Sequence, residues 1–500
     1  MRLGWFAAVA LAAYAAAVIA VSLHHELWQD EVRTWSIARE ARSLSELFAN
    51  VRNDGHPALW YVVLFAGTRL TSSRAVLPVS SLLVAVAAIA CLLLCAPFKW
   101  WLKLLFLCGV LPLYEYSVMA RNNGLVMLTL FAACAIYPRR LDRPLPLAAA
   151  LALLANSSVH GAIVAAGFAL AIATEWALGG RRRTAGSSSS IAAVLVLAAG
   201  FAAAFIHAWP DESSTIFHPE RLSVPAVSHA LGLFVRHPAH PFPRVFWGTG
   251  WPLLGAAMIW LFALALLDMP YLLGIFLFGT VGLALFLDLV YRSPLRHQGV
   301  LILLMVAMTW MMPAARTIPL WRPLQTLAAS LRRFAVPAAL AVLFLTHAVY
   351  AYRVIRFDLQ HDMTSAKAFG ELLRRQPFRN AVIMGEPDSA MESLPFYAPN
   401  RIYIPRERRF GTWTHFTSDS RRNLSLGNLL FIGKALREET RQPVLLALGH
   451  DLSAQPSISF GYGSIFTWSP AQRAQLQQET TLVATFQSAA TERYEVFSFR

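Results

Sequence analysis

Charged residues and cysteines are both scarce in this sequence. Only 14% of its 500 residues are charged, against about 25% in a soluble globular protein, which excludes an ordinary soluble fold for most of the chain. The four cysteines all lie inside apolar runs and have no metal-ligand spacing with histidine. This excludes a disulfide framework and a cysteine metal site, and we interpret them as small apolar packing residues. They are Cys91, Cys95, Cys108 and Cys134.

Acidic residues are outnumbered by basic ones, 28 against 43, which gives a net charge of +15. A charge of this size could indicate a nucleic-acid partner. Most of the arginines, however, sit in short clusters between apolar runs, where they set the orientation of membrane spans. We therefore expect no nucleic acid among the partners of this chain.

Apolar residues are abundant: 56% of the chain is hydrophobic, and several uncharged runs approach the roughly 20 residues that a membrane helix needs. Placing the basic clusters inside predicts an α-helical polytopic membrane protein of about eleven transmembrane helices, with a cytoplasmic N-terminus and an external C-terminus. The first run has no clear cleavage site, and we interpret it as a retained anchor. The predicted spans are residues 3–23, 75–98, 100–114, 124–137, two short spans within 145–178 that turn at 156–160, 191–209, 245–267, 270–287, 299–313 and 334–352.

This topology divides the chain into a transmembrane domain, residues 1–352, and an external α/β domain, residues 353–500. The second domain is polar, contains no span and has a size usual for a domain. We predict an amphipathic helix at residues 365–375 and strands at 381–384, 444–448, 482–486 and 494–499. The external loops of the first domain are residues 24–74, 115–123, 210–244 and 291–298, and Ser187–Ser190 is predicted to be a polar linker.

The first external loop contains two short apolar patterns. Residues 26–50 have apolar side chains at helical spacing and predict an amphipathic helix in the plane of the interface. Residues 58–67 form an apolar run about half as long as a span, which predicts a re-entrant or interfacial helix.

The same loop contains two candidate catalytic acids, in the segment WQDEVRTW at residues 28–35. The adjacent carboxylates of Asp30 and Glu31 could provide a general base or ligands for a divalent cation. The alternative is that they are helix-start acids, favoured by the helix dipole. Asp54 and His56 follow in Asp-Gly-His-Pro, where they are candidates for substrate binding; the alternative is helix capping by Asp54.

Two further external loops contain candidate ligands for an anion. Glu115 and Arg121 lie in the second loop, and Arg121 could bind phosphate through two parallel hydrogen bonds; the alternative is an arginine that extends to the membrane surface. Arg296 and His297 belong to a basic cluster that is unusual on the outer side. The cluster could bind a lipid phosphate; the alternative is a general attraction to ordinary anionic head groups. Residues 210–244 are rich in His and Arg without metal-ligand spacing, which favours a mobile lid or a solvated loop.

The order of these motifs resembles the GT-C superfamily of integral-membrane glycosyltransferases. Within it, WQDE and the later GHPALWYVV are most similar to family 39, the protein O-mannosyltransferase and aminoarabinose-transferase-like group. The resemblance implies a polyprenyl-phosphate sugar donor and inverting transfer to an external acceptor. It implies that Asp30 is the base and Glu31 its partner. His56 matches the histidine of an HPP-like motif in which Ala58 replaces the second proline; Arg121 matches the second-loop arginine, and Arg296 and His297 lie where such enzymes handle the donor phosphate.

We therefore expect a polyprenyl-phosphate-dependent glycosyltransferase in a bacterial inner membrane, acting on a lipid, glycan or protein acceptor. No cofactor is certain, although Asp30 and Glu31 could hold a divalent cation. A transporter or flippase of a lipid-linked saccharide is the alternative, but it should show internal repeats and charged residues at mid-membrane. A third hypothesis is an envelope scaffold whose external domain binds a partner. We expect the C-terminal domain to help bind the acceptor or to close over the site.

Overall fold

The computed structural model describes residues 2–178, 187–215, 219–246, 252–292, 294–453, 456–460, 463–488 and 492–500. A bundle of helices leads into a smaller C-terminal domain that contains the β-strands, which confirms the predicted helical membrane protein with a C-terminal α/β domain. The helices of the bundle and its loops are α1 (Arg2–Ser22), α2 (Gln29–Glu40), α3 (Leu44–Val51), α4 (Leu59–Leu70), α5 (Val76–Cys95), α6 (Trp100–Leu107), α7 (Asn123–Ile136), α8 (Pro144–Ser157), α9 (Val159–Leu178), α10 (Ser187–Ala208), α11 (Val224–Arg236), α12 (Pro252–Ala265), α13 (Pro270–Leu289), α14 (Leu295–Gln298), α15 (Val300–Met311), α16 (Arg322–Ser330) and α17 (Val336–Gln360).

Seven helical segments of the described residues are long and apolar enough to cross a membrane. The other predicted spans coincide with shorter helices, so the number eleven stays a prediction. One of them, residues 100–114, is interrupted after α6 and resumes as a π-helical turn at Leu111–Glu115, where Pro112 has no amide hydrogen to donate. The seven segments are Gly4–Ser22, Val76–Cys95, Val159–Leu178, Ser188–Ala208, Pro270–Leu289, Leu295–Ala314 and Arg322–Gln360.

The apolar stretch 145–178 forms two helices, as predicted. The backbone of Ser158 is extended between α8 and α9, and its hydroxyl accepts a hydrogen bond from the amide of Gly161 at 2.9 Å. A serine at this position caps the first turn of the following helix. The turn predicted at residues 156–160 is therefore a single capped break between two helices.

Three boundaries differ from the prediction. Ser187–Ser190 is the first turn of α10 rather than a linker, because serine suits the start of a helix. The amphipathic stretch 26–50 forms two helices, α2 and α3, and the second begins where the Ser43 hydroxyl accepts from the Glu46 amide. The last span does not end at Tyr352 but continues as α17 to Gln360. The basic cluster at 181–183 lies outside the described residues.

Buried ion pairs gather the predicted cytoplasmic segments at one end of the bundle. Arg140 makes two hydrogen bonds to Glu175, at 2.7 and 2.8 Å, and a third to the carbonyl oxygen of Ala314 at 3.1 Å. A second ion pair joins two other predicted cytoplasmic segments, because Arg332 pairs with Asp268. The first, second and fourth predicted outer loops meet at the other end, which we call the site end.

The C-terminal domain is built on a mixed six-stranded sheet in the order β3-β2-β1-β5-β9-β8, with a three-stranded sheet β4-β7-β6 beside it. β1 runs parallel to β2 and β5, and every residue of β1 and β5 is buried. This explains the apolar sequence of β5 and of most of β1, whose last residue, Glu386, pairs with Arg406. The four predicted strands and the helix occur at their expected places. The elements are α18 (Ala366–Leu373), β1 (Val382–Glu386), α19 (Leu394–Tyr397), β2 (Ile402–Ile404), β3 (Arg409–Phe410), β4 (Asn423–Ser425), α20 (Leu426–Thr440), β5 (Val444–Leu448), β6 (Ser457–Ser459), β7 (Ile465–Thr467), α21 (Pro470–Glu479), β8 (Thr480–Phe486) and β9 (Tyr494–Phe499).

The C-terminal domain packs directly on the first loop. The hydroxyl of Tyr397 donates to the carbonyl oxygen of Leu27 at 2.9 Å, and the amide of Gln29 donates to the carboxylate of Glu492 at 2.9 Å. Both bonds hold the chain just before and at the start of α2. The domain therefore helps to set the position of the helix that contains Asp30 and Glu31.

Candidate functional site

The two adjacent acids occupy the first turn of α2. The helix begins after Trp28, whose backbone is extended, and the Glu31 carboxylate accepts from the Trp28 amide at 3.3 Å. Acids in a first turn are favoured by the helix dipole, so the helix-start interpretation holds for both. Because successive helical residues point about 100° apart, the two carboxylates face different surroundings.

The carboxylate of Asp30 is partly open and lies between two arginines. Its side chain is 31% exposed, and one oxygen accepts from the Arg296 guanidinium at 2.9 Å and lies 3.4 Å from that of Arg121. Arg121 also donates to the Asp30 carbonyl oxygen at 2.5 Å. The site therefore places one accessible carboxylate beside two cations from different segments of the chain.

Glu31 points away from this opening and is fully buried. One oxygen accepts from the Ala120 amide at 2.6 Å, and the other lies 3.1 Å from His25. His25 lies 2.9 Å from the carboxylate of Asp358 on α17, which also accepts from the Tyr114 hydroxyl at 2.9 Å. Burial disfavours the charged imidazolium, but Glu31 and Asp358 outweigh it and raise the pKa of His25 to about 10. Glu31 thus joins the first loop to the second loop and to α17.

Asp54 is held by a buried arginine that the sequence analysis did not select. Arg33 donates to Asp54 at 2.6 Å, to Glu392 of the C-terminal domain at 2.6 Å and to the Thr414 carbonyl oxygen at 2.8 Å. The other Asp54 oxygen accepts from the Tyr61 hydroxyl. Both oxygens of Asp54 are therefore bonded within the protein, where they connect α2 to α4. The local pattern of α2 does not set Arg33 apart, because its neighbours one helical turn away include the polar residues Gln29 and Ser36.

His56 lies on the floor of the site, beside the arginines. Its Nε2 is 3.4 Å from the Arg121 guanidinium. Burial, reinforced by Arg121, lowers the pKa of His56 to about 4, so the ring is neutral at neutral pH. Its ring lies parallel to that of His297, with centroids 6.5 Å apart, and His297 stacks in turn on His160 of α9 at 4.8 Å. His160 is a site residue that the sequence analysis used only to place a turn.

Several buried polar atoms in and around the stacked histidines His56, His297 and His160 have no hydrogen-bond partner in the described structure. They are Glu115 Oε2, His160 Nε2, Arg296 Nε and His297 Nδ1. Buried polar groups are nearly always paired, so a cluster of unpaired ones needs an explanation such as a bound ligand. Donors from Arg296 next to an acceptor of Glu115 would suit a polar ligand that bears a phosphate.

The predicted lid is partly attached to the site end. The backbone amide of Arg244 donates to the Gln298 side chain at 2.9 Å, and the Asn53 side chain exchanges hydrogen bonds with Asp211. His240 lies 3.8 Å from Asp288, whereas His218 lies outside the described residues. The mobility of this segment stays a prediction.

No group of three or more His, Cys, Asp or Glu side chains that could hold a metal ion occurs among the described residues. The carboxylate of Asp30 faces two guanidinium groups, and that of Glu31 faces His25 and a backbone amide. The two acids therefore do not converge on a common point as ligands of one cation would.

The chain is similar to the crystal structure of ArnT, an aminoarabinose transferase, from Cupriavidus metallidurans in the apo state, with 15% sequence identity and a TM-score of 0.42. The match covers 99% of this chain and 98% of that chain. ArnT belongs to the group that the sequence motifs resemble. No family model matches the sequence, and no curated protein matches it.

Proposed function

We propose that the chain is a membrane glycosyltransferase. It moves a sugar from a polyprenyl-phosphate donor to an acceptor on the outer face of a bacterial inner membrane, with inversion at the anomeric carbon. The observation that carries the proposal is the pairing of the partly open Asp30 carboxylate with Arg121 and Arg296. An inverting displacement at a sugar phosphate requires a base on one face of the anomeric carbon and cations for the leaving phosphate on the other, and this site contains both kinds of group.

The donor phosphate would bind to the guanidinium groups of Arg121 and Arg296, which now hold the Asp30 carboxylate. A phosphate oxygen accepts well-directed hydrogen bonds from guanidinium groups, and the unpaired Nε of Arg296 offers another donor. As the phosphate takes these donors, the Asp30 carboxylate is released from the arginines and can accept the proton of the acceptor hydroxyl. Donor binding thus prepares the base, which suits an order in which the donor binds first.

The reaction is a single displacement. The acceptor hydroxyl oxygen forms a bond to the anomeric carbon while the bond from that carbon to the phosphate oxygen breaks. Asp30 takes the hydroxyl proton, and Arg121, Arg296 and His297 stabilise the charge on the departing polyprenyl phosphate. Neutral His56 supports Arg121 without adding a competing charge.

Glu31 and Asp54 act by positioning α2, the helix that contains Asp30. Glu31 fixes α2 against the second loop through the Ala120 amide, and Asp54 fixes it against α4 through Arg33 and Tyr61. A divalent cation on Asp30 and Glu31 is not part of the proposal, because the two carboxylates point to different partners. Glu115, with its unpaired oxygen, would bind a hydroxyl or amino group of the sugar.

The test uses the full-length protein in nanodiscs with a panel of radiolabelled polyprenyl-phosphate sugars and an envelope lipid and glycan extract as acceptor. Loss of label from the donor is measured for the wild type, Asp30→Asn and Glu40→Gln, a matched acid on the same helix that is 35% exposed. We expect one sugar to turn over and the Asp30 variant alone to lose about 10²-fold or more in rate, with unchanged thermal unfolding.

Two results would contradict the proposal. Turnover at the wild-type rate in Asp30→Asn would show that Asp30 is not the base. Movement of labelled lipid across the bilayer of sealed proteoliposomes, without turnover of any sugar, would favour the flippase instead.

A further inference from the structure

A cleft of about 490 Å³ lies between the start of α5 and the C-terminal domain, apart from the residues of the proposed site. Its walls come from Ser73–Ala75 and Pro78 on one side and from α18 and α19 on the other. The volume is within the range of small-molecule sites. Three cations and one carboxylate line it: Arg74, Lys367, Arg374 and Glu371.

The two arginines of this cleft are held in place by neighbouring carbonyl groups. The Arg374 guanidinium donates to the carbonyl oxygen of Tyr397 at 3.0 Å, and that of Arg74 donates to the carbonyl oxygen of Phe396. A guanidinium has five N–H donors, so each arginine keeps further donors for a ligand. Lys367 lies 3.5 Å from Glu26 and is 51% exposed, which leaves it at the rim.

The position of the cleft indicates what kind of anion would reach it. α5 is long and apolar enough to cross a membrane, and the cleft is formed at its first residues, where the head groups of a bilayer lie. Val79 and Leu83 follow the cleft residue Ala75 at spacings of four and eight residues, and their side chains are 46% and 63% exposed. They are four residues apart and share one helix face. A cationic cleft therefore opens above an apolar surface that faces lipid.

We propose that this cleft binds the phosphate-bearing head group of an anionic membrane lipid, whose acyl chains lie along Val79 and Leu83. The phosphate accepts hydrogen bonds from Arg74 and Arg374, and Lys367 adds a third cation. The bound lipid fastens α18 of the C-terminal domain to the membrane end of α5. This role is separate from sugar transfer, so it stands or fails independently of the proposed function.

The test measures lipid binding to the full-length, delipidated protein by native mass spectrometry. Phosphatidylglycerol, phosphatidylcholine and inorganic phosphate are titrated separately. We compare the wild type with the double variant Arg74→Gln/Arg374→Gln and with the control Arg375→Gln/Arg379→Gln, which removes two exposed arginines just outside the cleft. Because each basic residue near an anionic lipid is worth about 1 kcal/mol, we expect the first double variant to bind phosphatidylglycerol about 30-fold more weakly and the control to bind it normally.

A variant that is expected to bind the lipid more tightly distinguishes a specific effect from misfolding, because a misfolded protein would not gain affinity. Glu371→Gln removes the one carboxylate of the cleft and should tighten phosphatidylglycerol binding about fivefold. Equal weakening in both double variants would indicate diffuse charge attraction and overturn the proposal. Equal affinity for phosphatidylcholine, or binding of inorganic phosphate as tight as that of phosphatidylglycerol, would overturn it as well.

Discussion

The guanidinium of Arg296 donates to the carboxylate of Asp30 at 2.9 Å, although 266 positions separate the two residues along the chain. The contact joins the first predicted outer loop to the fourth. In the proposed reaction this contact is exchanged for one between Arg296 and the donor phosphate, so Arg296 contributes to donor binding as well as to the departure of the phosphate.

Replacing Arg296 by Gln should therefore raise the KM for the polyprenyl-phosphate donor by about 10- to 100-fold, since a hydrogen bond to a charged group is worth about 1.5–3 kcal/mol. Steady-state kinetics with varied donor would measure it. Arg292→Gln, an exposed arginine four residues earlier, is the matched control. A donor KM and a kcat that both stay at the wild-type values would contradict the assignment of Arg296 to the phosphate.

Arg33 and Glu392 should behave as a coupled pair across the boundary between the two domains. Each of Arg33→Gln and Glu392→Gln leaves a buried charge without its partner, which costs about 3–5 kcal/mol. The double variant should lose clearly less than the sum of the two. Chemical or thermal unfolding in detergent would give the values. Arg39→Gln, on the same helix with a half-exposed pair to Glu40, should cost under about 1 kcal/mol. Strict additivity would show that the two side chains act separately.

His25 should make stability fall in alkaline solution. Its pKa is about 10 in the folded protein, against an ordinary value of 6.5, so the folded state holds a proton that the unfolded state releases between these values. The stabilisation is complete below pH 6.5 and is lost as the pH rises through 10. Melting temperatures from pH 6 to 10 should fall for the wild type and for His24→Gln, an exposed neighbour. They should change much less for His25→Gln. The same dependence of melting temperature on pH in that variant would contradict the ion pairs of His25 with Glu31 and Asp358.

Local patterns were enough to predict most of the fold. Apolar runs gave the helices, and the polar residues around Ser158 marked the break between α8 and α9. In the C-terminal domain, the short apolar runs at 381–384 and 444–448 predicted two buried strands, and they correspond to the fully buried β1 and β5. These features depend on residues close together in sequence, which a single sequence reports directly.

Part of the candidate site was predictable for the same reason. Asp30, His56, Arg121, Arg296 and His297 were selected as polar residues beside apolar segments, and the structure brings them together. Arg33 and His25 were not selected, because their partners Glu392 and Asp358 lie more than 300 positions away. A single sequence indicates that a residue carries charge but not which distant charge compensates it. Glu31 illustrates this, since only the fold reveals that it faces inward while Asp30 faces the opening.

The continuation of α17 to Gln360 limits how the C-terminal domain can move relative to the helical bundle. Together with α16 and the π-helical turn at Leu331–Ala335, it forms one helical segment of 39 residues, about 58 Å long, which is nearly twice the thickness of the hydrocarbon core. Near its far end, Asp358 is bound by His25 and Tyr114. The C-terminal domain therefore follows a continuous helix rather than a flexible linker. We expect the domain to stay in place during the proposed reaction. Substrates would then enter from the bilayer or past residues 219–246.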